Sequence, residues 1–121
     1  MVLAALEAAP SRAQAAPRLA VEPPGFAFGR VLANRIVHKQ FVVRNWGDAD
    51  LTIEKISTSC GCTAALADAH VIKPGRSTVL RVTVDTRRDL GPVVRSIVLK
   101  TNDPAKPLTE LKLELTVTGG R

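Results

Sequence analysis

Leu111, Leu113, Leu115 and Val117 alternate with Lys112, Glu114 and Thr116, and this period of two dictates what the chain can build. Successive side chains of a strand point to opposite faces, so such a run is apolar on one side and polar on the other. The pattern recurs along the chain. Leu80, Val82 and Val84 alternate with Arg81 and Thr83, and Leu51 and Ile53 share a face. Val37, Phe41 and Val43 share another, with Lys39 as the exception, and Val93, Ile97 and Leu99 a third, with Arg95 between them. No stretch after Arg18 sustains helical spacing over three turns. Turn chemistry separates the runs: Pro23-Pro24-Gly25, Asn45-Trp46-Gly47-Asp48, Lys73-Pro74-Gly75, Asp89-Leu90-Gly91-Pro92 and Asn102-Asp103-Pro104. With shorter strands near Arg18–Glu22, Phe26–Val31 and Cys62–Leu66, the expected fold is all-β. It is a single immunoglobulin-like antiparallel β-sandwich of about seven or eight strands. The disulfide and core Trp of antibody domains are excluded, because both cysteines lie in one segment.

At 121 residues the chain holds one domain with its own core. Its apolar content comes from Val, Leu, Ile and Ala; there are three Phe, one Trp and no Tyr. Proteins that bind single-stranded nucleic acid stack bases on aromatic side chains, and this chain has few to offer. The net charge is +6, spread thinly, with Arg87-Arg88 the densest pair and no basic arm. A solvated basic surface or attraction to an acidic partner fits that distribution, and nucleic acid is not an expected partner. Residues 1–17 differ in composition: Ala dominates, and Ala13 and Ala15 fit a secretory cleavage site after Ala15. No basic stretch precedes it and Glu7 interrupts the apolar run. Two readings stay open, a signal-like segment whose start lies upstream or an Ala-rich disordered leader, with the domain expected over residues 18–121. No stretch reaches about 18 apolar residues, so membrane association is expected only through a partner or an upstream segment.

Cys60 and Cys62, the only cysteines, stand one residue apart in Ser59-Cys60-Gly61-Cys62-Thr63. In an extended segment both sulfurs project to one face. Two thiolates so placed suit Cu(I), which accepts soft ligands in low number. Zinc normally takes four ligands, so His38 or His70 would have to join, or a second chain. A disulfide across one residue is the other fate, needing Cα atoms drawn to about 5.5–6 Å, and simple core packing is a third. Thiol oxidoreductases place Cys-x-x-Cys at a helix start, unlike the strand expected here. Hydrolytic chemistry finds no Gly-x-Ser-x-Gly, no His-Glu-x-x-His and no Gly-rich phosphate loop. No catalytic residue is assigned.

Several segments in order resemble one family: Phe26-Ala27-Phe28-Gly29-Arg30-Val31, Phe41-Val42-Val43-Arg44-Asn45-Trp46-Gly47, Ile56 to Thr63, Ile72-Lys73-Pro74-Gly75 and Thr101-Asn102-Asp103-Pro104. Over roughly residues 19–118 the chain resembles the bacterial domain-of-unknown-function family 1573. That family is akin to the immunoglobulin-like domains of major sperm protein and of the ASPM–SPD-2–Hydin group. A departure is Ala33-Asn34, where a Gly is common; it is expected to alter only the turn. The resemblance implies export to the bacterial periplasm or envelope and a non-enzymatic module packing against other proteins. The expected function is therefore an interaction module, an accessory or scaffold subunit binding protein partners of a larger envelope assembly. A strand edge, Ser59, Gly61 and Thr63 of the cysteine turn, and Arg87 and Arg88 are the expected contact points. The alternative is a periplasmic Cu(I)-binding or thiol-redox protein using Cys60 and Cys62.

Overall fold

The computed structural model describes residues 15–87 and 90–119. Among them the chain forms β1 (Leu19–Glu22), β2 (Gly25–Leu32), β3 (Ile36–Asn45), β4 (Leu51–Thr58), β5 (Thr63–Ala67), β6 (Val71–Ile72), β7 (Ser77–Asp85), β8 (Gly91–Thr101) and β9 (Leu108–Thr118), with no helix. One sheet runs β1-β3-β7-β5 and the other β2-β9-β8-β4-β6. The two pack face to face as the immunoglobulin-like sandwich that the alternation predicts. Phe41 and Val43 of β3 and Leu80, Val82 and Val84 of β7 supply the core from one side. Ile53 of β4, Ile97 and Leu99 of β8, and Leu111 and Leu113 of β9 meet them from the other. Lys39, the exception in β3, lies half-buried with its ammonium 4.2 Å from the centre of the Phe26 ring. That cation–π contact explains how a lysine occupies an apolar register.

Three features depart from the sequence reading. First, β6 is a ninth strand of two residues, too short to show any periodicity, held by pairing Leu51 with Ile72. Second, one pairing is parallel: β1 lies antiparallel to β3, and β2 then runs parallel to β9 in the opposite sheet. Pro23 and Pro24 stand between these strands; neither can donate a ladder bond, and the chain changes sheets there. Third, β7 and β8 belong to different sheets. Strands β7 and β8, consecutive in sequence, thus lie in opposite layers of the sandwich.

The turn residues behave as their chemistry requires. Gly75 has φ +78° in the turn closed by Arg76 N–H on the Lys73 carbonyl at 3.0 Å, as Pro74-Gly75 predicts. Asn34 adopts φ +58°, a left-handed conformation asparagine tolerates, so the turn survives without the usual glycine. Residues 1–14, most of the Ala-rich segment, lie outside the described residues. Contacts to the domain reach back to Ala16, two residues before the expected boundary: its N–H donates to Asp48 Oδ1 at 2.8 Å and its carbonyl accepts from Asp48 N–H at 3.0 Å.

Candidate functional site at the cysteine turn

Thr58 of β4 pairs with Ile97 of β8, and the chain then leaves the sheet. Ser59 pins the departure: its N–H donates to the Ser96 carbonyl and its hydroxyl accepts from Ser96 N–H, both at 2.9 Å. Cys60 to Thr63 form a turn closed by Thr63 N–H on the Cys60 carbonyl at 3.0 Å. The expected strand therefore starts at Thr63 and not at Cys62, and the turn, not the pleat of a strand, brings the cysteines together. They are joined as a disulfide, with Cα atoms 5.2 Å apart.

The two sulfurs have different surroundings. Cys62 is 7% exposed, whereas Cys60 is half-buried at the surface. Cys60 Sγ accepts the N–H of Cys62 at 3.2 Å. Cys62 Sγ accepts Arg95 Nε–H at 3.1 Å. Arg95 occupies the core-facing register of β8, in line with Val93, Ile97 and Leu99, and its guanidinium reaches the buried sulfur at the end of the sandwich. A permanent positive charge beside sulfur favours the thiolate over the thiol whenever the bond is opened. In the sequence Arg95 stands out only as an interruption of the alternation, with no role attached. The break itself was the signal.

Of the expected contact residues, Ser59 and Gly61 are exposed on this turn. Thr63 is corrected: at 4% exposure its side chain faces the interior and offers no contact surface. Arg87 is exposed and lies at the same end, because Asp85 N–H donates to the Cys62 carbonyl at 2.8 Å and Asp85 Oδ1 accepts Arg87 N–H at 2.9 Å. Arg88 lies outside the described residues. His38 is exposed on β3, and His70 Nδ1 lies 3.3 Å from the Ile53 carbonyl. With the sulfurs bonded to each other, the alternative Cu(I) site at Cys60 and Cys62 would require the reduced pair. No group of three or more His, Cys, Asp or Glu among the described residues is placed to hold a metal ion.

Past the turn, β5 forms one free edge of its sheet. Asp85 N–H on the Cys62 carbonyl and Asp68 N–H on the Val79 carbonyl show that even-numbered positions bond to β7. By alternation, the N–H and C=O groups of Ala65 and Ala67 point away from β7. Leu66 is 64% exposed on the outer face. Beyond it, Arg81 Nε and a second guanidinium nitrogen bond both carboxylate oxygens of Asp68 at 2.9 and 3.0 Å.

A search of curated proteins finds no match to the sequence. Among solved structures, a protein of unknown function from Porphyromonas gingivalis W83 superposes with a TM-score of 0.73 at 23% identity. The match covers 83% of this chain and 46% of that one, so the chain spans about half of that protein's length. The ASH / PapD-like domain 7 of human CEP192 matches with a TM-score of 0.70 at 8% identity, over 100% of this chain and 99% of that domain. The periplasmic chaperone SfaE matches with a TM-score of 0.54 at 12% identity, over 84% and 57% of the two chains. At these identities the likenesses show the sandwich fold alone. A family profile described as protein of unknown function, DUF1573, matches residues 19–117, and the chain belongs to that family.

Proposed function

We propose that the protein is a non-enzymatic docking module of a bacterial envelope, an accessory subunit that adds an extended segment of a protein partner to the free edge of β5. The observation that carries this reading is the edge itself. Thr63-Ala64-Ala65-Leu66-Ala67 contains no charge and no proline, the devices by which sheets commonly blunt their edges. The other edges are shorter or interrupted. β6 has two residues, β1 has four and is followed at once by Pro23, and β2 is broken by a bulge between Ala27 and Gly29. A strand laid beside β5 would bond the outward backbone groups of Ala65 and Ala67, with Leu66 offering apolar contact on the outer face. The net charge of +6 favours an acidic segment. Placement in the envelope is supported by the family resemblance, and a periplasmic chaperone shares the fold.

The test is native mass spectrometry of the chain extracted gently from its source envelope, comparing wild type with Ala65→Pro. Proline at 65 removes an outward N–H without touching the bonds to β7. Wild type is expected in a heteromer of fixed stoichiometry and Ala65→Pro as a folded monomer. A heteromer that survives Ala65→Pro overturns docking at this edge. The Cys60→Ser/Cys62→Ser variant separates the Cu(I) alternative: docking persists in it, whereas copper bound by thiolates is lost.

A further inference from the structure

We propose that Cys60 and Cys62 form a thiol–disulfide exchange site that takes two electrons from a reduced dithiol in a protein or peptide, with Arg95 stabilising the departing sulfur. Three observations converge on it. The disulfide bridges a single residue at the surface end of the sandwich, so an incoming thiol need not enter a cleft. Its sulfurs are unequal: Cys60 is accessible and Cys62 is 7% exposed. The buried sulfur is the one in contact with a guanidinium, at 3.1 Å. Attack at Cys60 therefore expels the sulfur already beside a positive charge, and a better-stabilised thiolate leaves faster. Asp85 and Arg87 also stand at this end, with Arg87 Nε 4.0 Å from Asp85 Oδ2.

The exchange runs in two steps. A thiolate of the dithiol attacks Cys60 Sγ, forming an intermolecular disulfide; the Cys60–Cys62 bond breaks and its electron pair leaves on Cys62 Sγ against Arg95. The second thiolate of the dithiol then attacks the dithiol's first sulfur in that mixed disulfide, breaking its bond to Cys60 Sγ. This closes the dithiol into a disulfide and releases Cys60 as a thiolate, on the side where the N–H of Cys62 already meets its sulfur. The dithiol loses two electrons and two protons. Cys60 and Cys62 gain the electrons, and the protons pass to solvent or to the new thiols. One chain oxidises one dithiol, and no turnover is implied. The site is independent of the β5 edge, because a free peptide can use it.

The experiment mixes the oxidised full chain with a synthetic reduced peptide bearing Cys-x-x-Cys, quenches with acid at intervals, and maps products by mass spectrometry. One oxidised peptide per chain is expected, with the trapped mixed disulfide on Cys60. Arg95→Met should slow the exchange and shift the equilibrium in glutathione buffers toward the disulfide, each by about three- to tenfold, and Arg95→Lys should recover most of both. A trapped disulfide on Cys62, a wild-type rate no faster than that of oxidised glutathione, or a folded Arg95→Met variant with wild-type rate and equilibrium would each overturn the proposal. Should Arg95→Met not fold, the mapping on wild type and the Arg95→Lys rate still decide it.

Discussion

Asn45 shows how much one polar side chain can organise. It is fully buried, yet every hydrogen-bonding position of its amide is used. Oδ1 accepts the N–H groups of Arg18 and Gly47 at 3.2 and 3.0 Å, and Nδ2 donates to the carbonyls of Ala49 and Ile72 at 2.7 and 2.9 Å. The four bonds join the approach to β1, the turn after β3 and the end of β6. Asn45→Ala removes all four bonds from the buried interior, and stability should fall by about 3 kcal/mol or more in urea unfolding. The sequence shows Asn45 as a turn former through Gly47, two residues away. Its bonds to Arg18 and Ile72 span 27 residues each way and depend on strand order, which no local pattern encodes. Asp68 illustrates a gentler effect. The hydrogen bonds from Arg81, aided by its charge, hold the carboxyl below the ordinary carboxylate range. Because the folded value is depressed, the contribution to stability is present above the unfolded value and is lost as pH falls through the folded one. NMR titration should place the Asp68 carboxyl lower in wild type than in Arg81→Met.

Among the elements, β1 depends on contacts outside its own ladder. Four residues pair with β3, and Asp103, from the turn after β8 in the other sheet, holds its start. The Asp103 carboxylate is 3% exposed; Oδ2 accepts Leu19 N–H and Oδ1 accepts Ala105 N–H, both at 2.9 Å, with Arg18 at 3.8 Å. Asp103→Ala should cost about 2–3 kcal/mol, and amide exchange should accelerate most at Leu19 and Val21. Close packing also reaches β1 through Gly47. A Cβ there would collide with the Ala16 carbonyl and stand 2.6 Å from Arg18 N, so Gly47→Ala must displace the approach to β1. Gly61 is the contrast: no heavy atom beyond its chain neighbours lies within 4 Å of where a Cβ would stand, and Gly61→Ala should leave stability within about 0.5 kcal/mol. Strands such as β7 and β9 were legible because their burial alternates residue by residue. The parallel register of β2 was not, since period two reports which face is buried and never which neighbour is paired.

At the scale of the whole molecule, the disulfide contributes little to holding the sandwich together. It closes a loop of three residues within one turn, and chain entropy assigns such a link roughly 1–2 kcal/mol. The core cluster of Phe41, Leu80, Ile97, Leu99, Leu111 and Leu113 includes neither cysteine, and Ser59 pins the turn to β8 by two further bonds. Domains of this size are held by about 5–15 kcal/mol, so the reduced protein should remain folded. A link that stabilised the fold strongly would have been poorly suited to opening and closing. The Cys60-Gly61-Cys62 spacing made the pair visible in the sequence, but the partner that distinguishes its sulfurs comes from β8, 33 residues beyond Cys62. The Cys60→Ser/Cys62→Ser variant should give the far-ultraviolet spectrum of the wild type and a single cooperative urea transition, lowered by about 1–2 kcal/mol. Wild type in excess reductant should match that variant. An unfolded or non-cooperative variant would instead make the disulfide a structural clasp, with no freedom to exchange while the domain stays intact.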